Sequence, residues 1–200
     1  MKRKEYPGDK FLENPELMLS LYARGAFPMA NSDSGKVDWY YPEIRTVIPL
    51  NSYNFPRSLK KIIPNLNFEI RFDTDFIAVV QSCANRKETW ISEEIIQAYL
   101  RLKKLGHIHT VETWSNNKLV GGLYGISFKG AFFGESMFSI VPQSSKYALI
   151  KLIEHLNEKK FTLLDVQFMT EHLKMFGAAE IPLIEYQRLL DKAYQNDCSF

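Results

Sequence analysis

The chain has 200 residues, of which 46% are hydrophobic and 14% aromatic, and a formal net charge of only +2. Such a composition supports a large folded core and excludes disorder of the whole chain. The small net charge also excludes a generic nucleic-acid coat, so any partner with phosphates would have to be met by a local basic patch.

The first 65 residues are rich in proline and aromatic residues, and turns are frequent. Three short elements are predicted there: a helix over 18–24 that ends at Gly25, a strand over 46–50, and a helix over 57–63 that Pro64 stops. Because these elements are short, we expect residues 1–65 to form a small N-terminal subdomain.

The rest of the chain has firmer periodicity. A strand is predicted in "NFEIRFD", a helix in "DTDFIAVVQSCA" capped by Asp73 or Thr74, and a helix from the cap Ser92 to Gly106. The strands "HIHTVETW", "KLVGGLYGISF" and "AFFGESMF" follow, and the turn-formers "SNN" and "KG" join them into an antiparallel meander. An amphipathic helix in "SSKYALIKLIEHLNEKK", a strand in "FTLLDVQF" and a helix over Leu183–Tyr194 complete the chain.

This order of elements indicates an α+β fold. It resembles the acetyltransferase-like domains of the GCN5-related N-acetyltransferase type, with an antiparallel meander and flanking helices, and we expect residues 66–200 to form that catalytic domain. Since one fold carries many activities, the activity has to come from particular residues.

The expected compartment is the cytoplasm. Cys83 and Cys198 lie far apart and have no metal-binding spacing, which favours a reduced protein without a metal site. The basic N-terminus "MKRKEYPGDK" is not followed by an apolar stretch, and no apolar run is long enough to cross a bilayer. A membrane partner is therefore not expected.

A carboxylate stands in the aromatic segment "FKGAFFGESMFS", where an ionised Glu135 is costly unless it faces water or meets a cation. Period-two geometry predicts Phe133, Glu135 and Met137 on one face of the strand, and Phe132, Gly134, Ser136 and Phe138 on the other. In "LLDVQ", Asp165 and Gln167 share a face. If the two strands are neighbours, Glu135, Asp165 and Gln167 converge on a site that suits a cationic amine.

Each feature also has a plainer interpretation. Glu135 alone would more often lie on a solvent face, and Asp165 could cap the following turn. The glycines of "GGLYG" indicate a bulge or the close approach of a ligand to the backbone, since their spacing does not fit a phosphate loop. His107 and His109 share a face, but nothing nearby completes a set of metal ligands.

Basic residues cluster at several places, and most such runs are solvated helix surface. Arg57, Lys60 and Lys61 are the best candidates for phosphate contacts, because they lie in a turn-rich segment beside aromatic residues.

Several segments together resemble the leucyl/phenylalanyl-tRNA–protein transferase family. They are "LYARGAFPMA", "WYYPEIRTVIPL", "TWISEEIIQAYLRLKKLGHIHTVETW", "LVGGLYGISFKGAFFGESMFS", "SSKYAL", "LLDVQ" and "FGAAEIP", in order from about residue 17 to about 190. The resemblance implies transfer of leucine or phenylalanine from Leu-tRNA or Phe-tRNA to the α-amino group of proteins that begin with Arg or Lys, which tags them for N-end rule degradation.

The resemblance also implies roles for particular residues. Asp165, Gln167 and Glu135 would be catalytic, and Arg57, Lys60 and Lys61 would bind tRNA. The pocket for the leucine or phenylalanine side chain would include Trp39, Trp90, Leu123, Phe132, Gly134, Met137, Leu152 and Leu156. No cofactor is implied, because an aminoacyl-tRNA is already an activated ester, and a monomer is expected.

Two other functions stay open. A coenzyme A-dependent N-acyltransferase could use the same fold, but the connection "SIVPQSSKYAL" lacks the glycines that usually hold pyrophosphate there. Ser144, Ser145 and the helix N-terminus could still receive an anion. A non-catalytic module that binds RNA or protein N-termini would keep the basic patch or the acidic pocket without needing the pair Asp165 and Gln167.

Overall fold

The computed structural model describes residues 2–4, 8–31, 34 and 36–200. The strands are β1 Lys2–Lys4, β2 Phe27–Ala30, β3 Val37–Tyr41, β4 Ile44–Ile48, β5 Glu69–Phe72, β6 Ile108–Ser115, β7 Lys118–Phe128, β8 Ala131–Ser139, β9 Leu163–Gln167 and β10 Ala179–Pro182. The helices are α1 Gly8–Glu13, α2 Pro15–Tyr22, α3 Arg57–Ile62 with a 3-10 turn over Ile63–Asn65, α4 Phe76–Ala84, α5 Glu93–Lys104, α6 Ser144–Glu158, α7 Glu171–Lys174 and α8 Leu183–Tyr194. The predicted α+β class is confirmed.

The larger of the two described sheets has seven strands in the order β10-β4-β9-β8-β7-β6-β5. All its neighbours are antiparallel except β8 and β9, which are parallel and joined through the crossover helix α6. The smaller sheet is β1-β3-β2. Strand β4 precedes residue 65 yet pairs within the large sheet, and the expected domain boundary at residue 65 stays a prediction.

The two faces of the large sheet carry separate apolar clusters. One cluster joins α2, α4, α5 and α8 to side chains such as Phe133 and Leu163. The other packs α3 and α6 against side chains such as Phe132 and Leu164. Alternate residues of β8 and β9 thus point to opposite faces, as a regular pleat requires.

One predicted face assignment is wrong, because β8 contains a bulge. Tyr124 of β7 pairs with Ser136, and the next residue, Gly125, pairs with Gly134. Glu135 is therefore an extra residue in β8 that has no partner in β7. An extra residue in one strand reverses the alternation beyond it. Phe133 and Glu135 do share a face, but Met137 packs in the α6 cluster and Phe138 packs in the opposite one, the reverse of the prediction.

Two further expectations need correction. The cap of α4 is Asp75, not Asp73 or Thr74, because the Asp75 side chain accepts from the backbone N–H of Ala78. The glycines of "GGLYG" make room for protein rather than for a ligand: a Cβ on Gly121 would overlap Ser144, and one on Gly125 would overlap Phe132. The pairing of β6 with β7 skips Val120, so a bulge does lie next to Gly121, as predicted. Strand β10 and the short helix α7 were not predicted.

Candidate active site

A cavity of about 730 Å³ opens where β8 and β9 part. The two strands pair over only three residue pairs, from Ala131 with Leu163 to Phe133 with Asp165. Both strands run on beyond that point, and the residues that follow on each, such as Gly134 and Val166, line the cavity. The end of parallel pairing therefore creates a cleft at which side chains from both strands meet.

Glu135 lines this cleft and is 9% exposed. Its carboxylate accepts hydrogen bonds from the hydroxyl of Tyr99 at 2.7 Å and from Nε2 of Gln167 at 3.0 Å. Burial raises the pKa of Glu135 to about 7, although the hydrogen bond from Tyr99 lowers it. A carboxyl group with such a pKa can gain or lose a proton at neutral pH.

Asp165 is fully buried and has a cationic partner. Nε of Arg45 donates to both of its oxygens, at 3.0 and 2.9 Å, and Nη2 donates to Oδ2 at 2.5 Å. The hydroxyl of Tyr186 donates to Oδ2 at 2.6 Å, and the backbone N–H of Gln167 donates to Oδ1 at 2.8 Å. Burial lowers the pKa of Arg45, but the charge of Asp165, the hydrogen bonds to it and the neighbouring Tyr186 and Glu135 together raise that pKa above its ordinary value. Both oxygens of Asp165 are thus occupied by donors from the protein.

Gln167 connects the two carboxylates. Its backbone donates to Asp165, its side chain donates to Glu135, and its φ of 63° lies in the left-handed region, where a residue with a side chain is strained. The bond to Asp165 holds the backbone in this conformation, which directs the amide toward Glu135. The convergence of Glu135, Asp165 and Gln167 expected from the sequence is confirmed as geometry.

Hydrogen bonds extend from Glu135 through Tyr99, and from Asp165 through Arg45, to the chain around the end of α2. The hydroxyl of Tyr99 lies 3.0 Å from that of Tyr22, the last residue of α2, and Nη1 of Arg45 donates to the carbonyl of Gly25 at 2.6 Å. The resulting polar chain consists of Tyr22, Tyr99, Glu135, Gln167, Asp165 and Arg45. The N-terminal segment therefore closes both ends of the network that holds the site.

The cavity has a polar side and an apolar side. Arg86 lies on the polar side, where Nη2 donates to Ser136 Oγ at 3.0 Å and also to the carbonyl of Met137. The apolar wall comes from β7, β8, α6, β9 and α7, and consists of Leu123, Met137, Leu149, Leu152, Leu164, Val166 and Leu173. An apolar side chain and a polar reacting group thus find complementary surroundings in one cleft.

Five of the eight residues expected in the substrate pocket line this cavity: Trp90, Leu123, Gly134, Met137 and Leu152. Trp39, Phe132 and Leu156 do not line it. Phe132 and Leu156 are buried in the apolar cluster around α6, and Trp39 is buried in the opposite cluster. Trp39 packs against Phe11 and Tyr22. Arg57, Lys60 and Lys61 are exposed on α3, on the α6 side of the sheet.

Several functional residues were not predicted from the sequence. Tyr22 and Tyr99 have no local signal, since each lies on an otherwise apolar helix face. Arg45 did carry a signal, because an arginine inside the buried strand "IRTVI" needs an anionic partner as much as Glu135 needs a donor.

Within the residues that the structure describes, no group of three or more His, Cys, Asp or Glu side chains could hold a metal ion.

None of the helices in the described part of the chain is both long and apolar enough to span a membrane.

Comparison with known proteins identifies the enzyme class and then the family. Residues 47–191 match the family model for leucyl/phenylalanyl-tRNA protein transferase, and residues 14–43 match that for its N-terminal domain. A leucyl/phenylalanyl-tRNA–protein transferase from Gloeobacter violaceus is 47% identical over 186 residues, which cover 93% of this chain and 96% of that protein. These matches place the chain among the aminoacyltransferases. It belongs to the leucyl/phenylalanyl-tRNA protein transferase family, and the resemblance drawn from the sequence motifs is confirmed.

The similar solved structures are more distant. L-PGS from Bacillus licheniformis has a TM-score of 0.43 at 13% identity, covering 78% of this chain and 54% of that one. A conserved protein of unknown function from Staphylococcus epidermidis has a TM-score of 0.45 at 10% identity, covering 84% and 64%. The C-terminal domain of a putative lysylphosphatidylglycerol synthetase from Agrobacterium fabrum has a TM-score of 0.43 at 12% identity, covering 90% and 65%.

Proposed function

We propose that this protein transfers leucine or phenylalanine from Leu-tRNA or Phe-tRNA to the α-amino group of proteins that begin with Arg or Lys. The tagged products would enter N-end rule degradation in the cytoplasm. One observation carries the proposal: in a member of this family, Glu135 and Gln167 meet at 3.0 Å beside a cavity with an apolar wall.

The donor side chain would lie against the apolar wall. Leu149 and Leu152 of α6 face Leu164 of β9 across a cavity large enough for a leucyl or phenylalanyl group. An apolar pocket separates similar side chains weakly, by about 1–3 kcal/mol per methylene. Use of both leucine and phenylalanine is the expected result.

Glu135 would be the proton acceptor in the reaction. The incoming α-amino nitrogen attacks the ester carbonyl, an N–C bond forms, and the ester C–O bond breaks. The proton lost by the nitrogen passes to Glu135 and from Glu135 to the departing oxygen of the tRNA, which leaves as a hydroxyl group and restores the carboxylate. A carboxyl group whose pKa is raised to about 7 is suited to this exchange near neutral pH.

Gln167 and Asp165 would position the reactants. The Gln167 side-chain oxygen is available to the attacking amine, because among the described residues that side chain bonds only to Glu135, through its Nε2. Asp165 would act by fixing Gln167 rather than by taking a proton, because both of its oxygens already accept from Arg45. Alignment of two substrates by such groups is worth about 7–11 kcal/mol.

The basic patch of Arg57, Lys60 and Lys61 would bind the tRNA. Its helix, α3, packs through Leu59 into the same apolar cluster as Leu152 of the donor wall. A tRNA on this side of the sheet could therefore deliver its aminoacylated end to the cavity. The proposal also takes residues 66–200 as a catalytic domain of the GCN5-related acetyltransferase type and residues 1–65 as its N-terminal subdomain.

One assay tests the transfer against the alternatives. The protein is incubated with an Arg-initiated peptide and either labelled Leu-tRNA or labelled acetyl coenzyme A, and the peptide mass is followed. We expect the mass of a leucyl residue to be added from Leu-tRNA and no acetylation. Acetylation alone would support a coenzyme A-dependent enzyme, and binding of tRNA without any product would support a non-catalytic module.

A further inference from the structure

The N-terminal end of α6 forms part of the cavity wall and is chemically different from the rest of that wall. Ser145, Leu149 and Leu152 all line the cavity, and their spacing of four and three residues places them on one helix face. Along this face the wall changes from polar in the first turn to apolar in the next two turns. A ligand with an anionic end and an apolar end would match that order.

The first turn of α6 has unused hydrogen-bond donors. Gln143, at the cap position, makes no side-chain capping bond, and the first turn contains no acidic residue. The backbone N–H groups of Ser144 and Tyr147 donate to Val141 and Gln143. Those of Ser145 and Lys146 have no acceptor among the described residues, so a 15-residue helix presents two free donors at its positive end.

Ser145 supplies an independent second observation. The residue is 5% exposed, it lines the cavity, and its hydroxyl has no hydrogen-bond partner in the described part of the chain. Ser144 beside it is fully engaged, because its hydroxyl contacts the carbonyls of Val120 and Val141. The free hydroxyl of Ser145 is therefore accessible from the cavity, where a ligand with an acceptor oxygen would give it a partner.

One neutral donor and one cation lie at this point. His172 lines the cavity, and its Nε2 is buried without a partner among the described residues. Burial lowers the pKa of His172, and the ammonium group of Lys146 lowers it further, so the neutral imidazole is a hydrogen-bond donor near pH 7. Lys146 itself lies in the first turn of α6, next to Ser145. The neighbouring Glu171 is exposed and lies 3.8 Å from Lys174. An anion here would meet hydrogen-bond donors and the ammonium group of Lys146.

We infer that the N-terminus of α6, with Ser145, Lys146 and His172, binds the phosphate that joins the last nucleotide of the tRNA to the preceding one. This inference rests on the proposed transfer from aminoacyl-tRNA. The aminoacyl group would lie against Leu149 and Leu152, and the phosphate of the same nucleotide would lie at the helix N-terminus. The site would fix the depth to which the tRNA end enters the cavity.

The experiment uses two stable donor analogues that differ by one group. Phenylalanine is linked through an amide to 3′-amino-3′-deoxyadenosine, with or without a 5′-phosphate, and the affinity of each for the full chain is measured by calorimetry. We expect the phosphate to tighten binding about tenfold in the wild type. Ser145→Ala and Lys146→Gln should each reduce that gain to about threefold or less, while the analogue without phosphate binds all forms equally.

Lys151→Gln is the matched control, because it removes one charge from the same helix but lies beyond the first turn and pairs with Glu154. It should keep the full gain from the phosphate. Equal affinity of the two analogues for the wild type, or an unchanged gain in both Ser145→Ala and Lys146→Gln, would overturn the inference.

Two further outcomes separate this inference from the proposed function. The wild type could transfer leucine from Leu-tRNA yet bind both analogues with equal affinity. In that case the proposed transfer is supported and the phosphate site is wrong. If coenzyme A binds more tightly than the phosphorylated analogue, and Ser145→Ala weakens it, the site serves coenzyme A and both the inference and the tRNA donor are wrong. Thermal unfolding of each variant confirms that it is folded.

Discussion

Glu135 is the residue on which the proposed chemistry depends, because both of its oxygens accept from neutral groups and no cation among the described residues forms an ion pair with it. Its carboxylate therefore remains costly to ionise until a substrate ammonium arrives. The sequence suggests that Glu135 faces either water or a cation. In the structure it instead accepts hydrogen bonds from Tyr99 and Gln167.

Replacing Glu135 by Gln should lower the rate of single-turnover transfer by about 10²–10⁴-fold. The wild-type rate should rise as Glu135 ionises, with a midpoint near the pKa of about 7, and again as the substrate amine loses its proton. Glu135→Gln should retain only the ionisation of the amine. A profile of transfer rate against pH for both proteins tests this, and identical profiles would remove Glu135 from the proton transfer.

The same residue should make stability depend on pH. The folded pKa of about 7 is raised above the ordinary value of 4.5, so between these values the native state holds a proton that the unfolded state has lost. The free energy of unfolding should therefore fall as the pH rises from 4.5 to 7, by about 3 kcal/mol in total. Urea unfolding of wild type and Glu135→Gln checks this, since the mutant should lack that decline.

At this scale the sequence predicts the unusual residues but not their partners. Glu135 stands out because a carboxylate in an aromatic strand is costly, and Asp165 and Gln167 stand out by their shared face. Tyr99 and Arg45 contact them from positions 36 and 120 residues away along the chain, so no local pattern could name them.

The secondary-structure elements create the site through two irregularities of the sheet. The bulge at Glu135 changes which residues of β8 face α6, and the parallel pairing of β8 with β9 stops after three residue pairs. The bulge brings Met137 into the α6 cluster, and the early end of the pairing leaves space between β8 and β9. A regular sheet would have neither the cleft nor this apolar wall.

Gly121 allows α6 to approach β7, and this contact can be tested. Gly121→Ala should lower the free energy of unfolding by about 1–3 kcal/mol, because the added Cβ overlaps Ser144 at the start of the helix. Gly134→Ala is the control, since its Cβ would lie 3.4 Å from the carbonyl of Asp165, an ordinary contact. Chemical denaturation of both variants gives the comparison, and equal losses of stability would contradict the proposed role of Gly121.

The elements themselves were largely predictable. The predicted bounds of β7 and α8 coincide with the observed ones, because turn-forming residues flank β7 and Pro182 immediately precedes α8. The face assignment in β8 failed beyond Glu135, since alternation holds only while a strand keeps its register. Nothing in the periodicity of "FFGESMF" marks the skipped residue, which the pairing with β7 alone defines.

In the whole molecule, the N-terminal segment and the large sheet depend on each other. Tyr22 and Gly25 lie within four residues of one another and hold opposite ends of the polar chain. A Cβ on Gly25 would lie 2.5 Å from the ring of Tyr186, so the turn, α8 and Asp165 are packed closely together. The N-terminal segment is therefore part of the hydrogen-bonded network around the proposed catalytic residues, which a sequence divided at residue 65 does not reveal.

The basic patch predicts how binding of tRNA should respond to salt. Lys60→Glu with Lys61→Glu should weaken binding of Leu-tRNA and flatten the plot of log affinity against log salt by about one to two units, because each lost phosphate contact removes about 0.7–0.9. Lys103→Glu with Lys104→Glu changes the same charge on α5, where we expect little effect. Equal slopes in the two double variants would remove the patch from the binding surface.

The most direct test of the account is the rate of a single turnover in Gln167→Ala. This change removes the amide that meets Glu135 but keeps a Cβ, and the matched control is Gln187→Ala, whose amide donates to Tyr41 on the surface. We predict that Gln167→Ala binds the donor analogue as the wild type does and transfers leucine at least about 100-fold more slowly, while Gln187→Ala is unaffected. Transfer at the wild-type rate by a folded Gln167→Ala protein would contradict the proposed site.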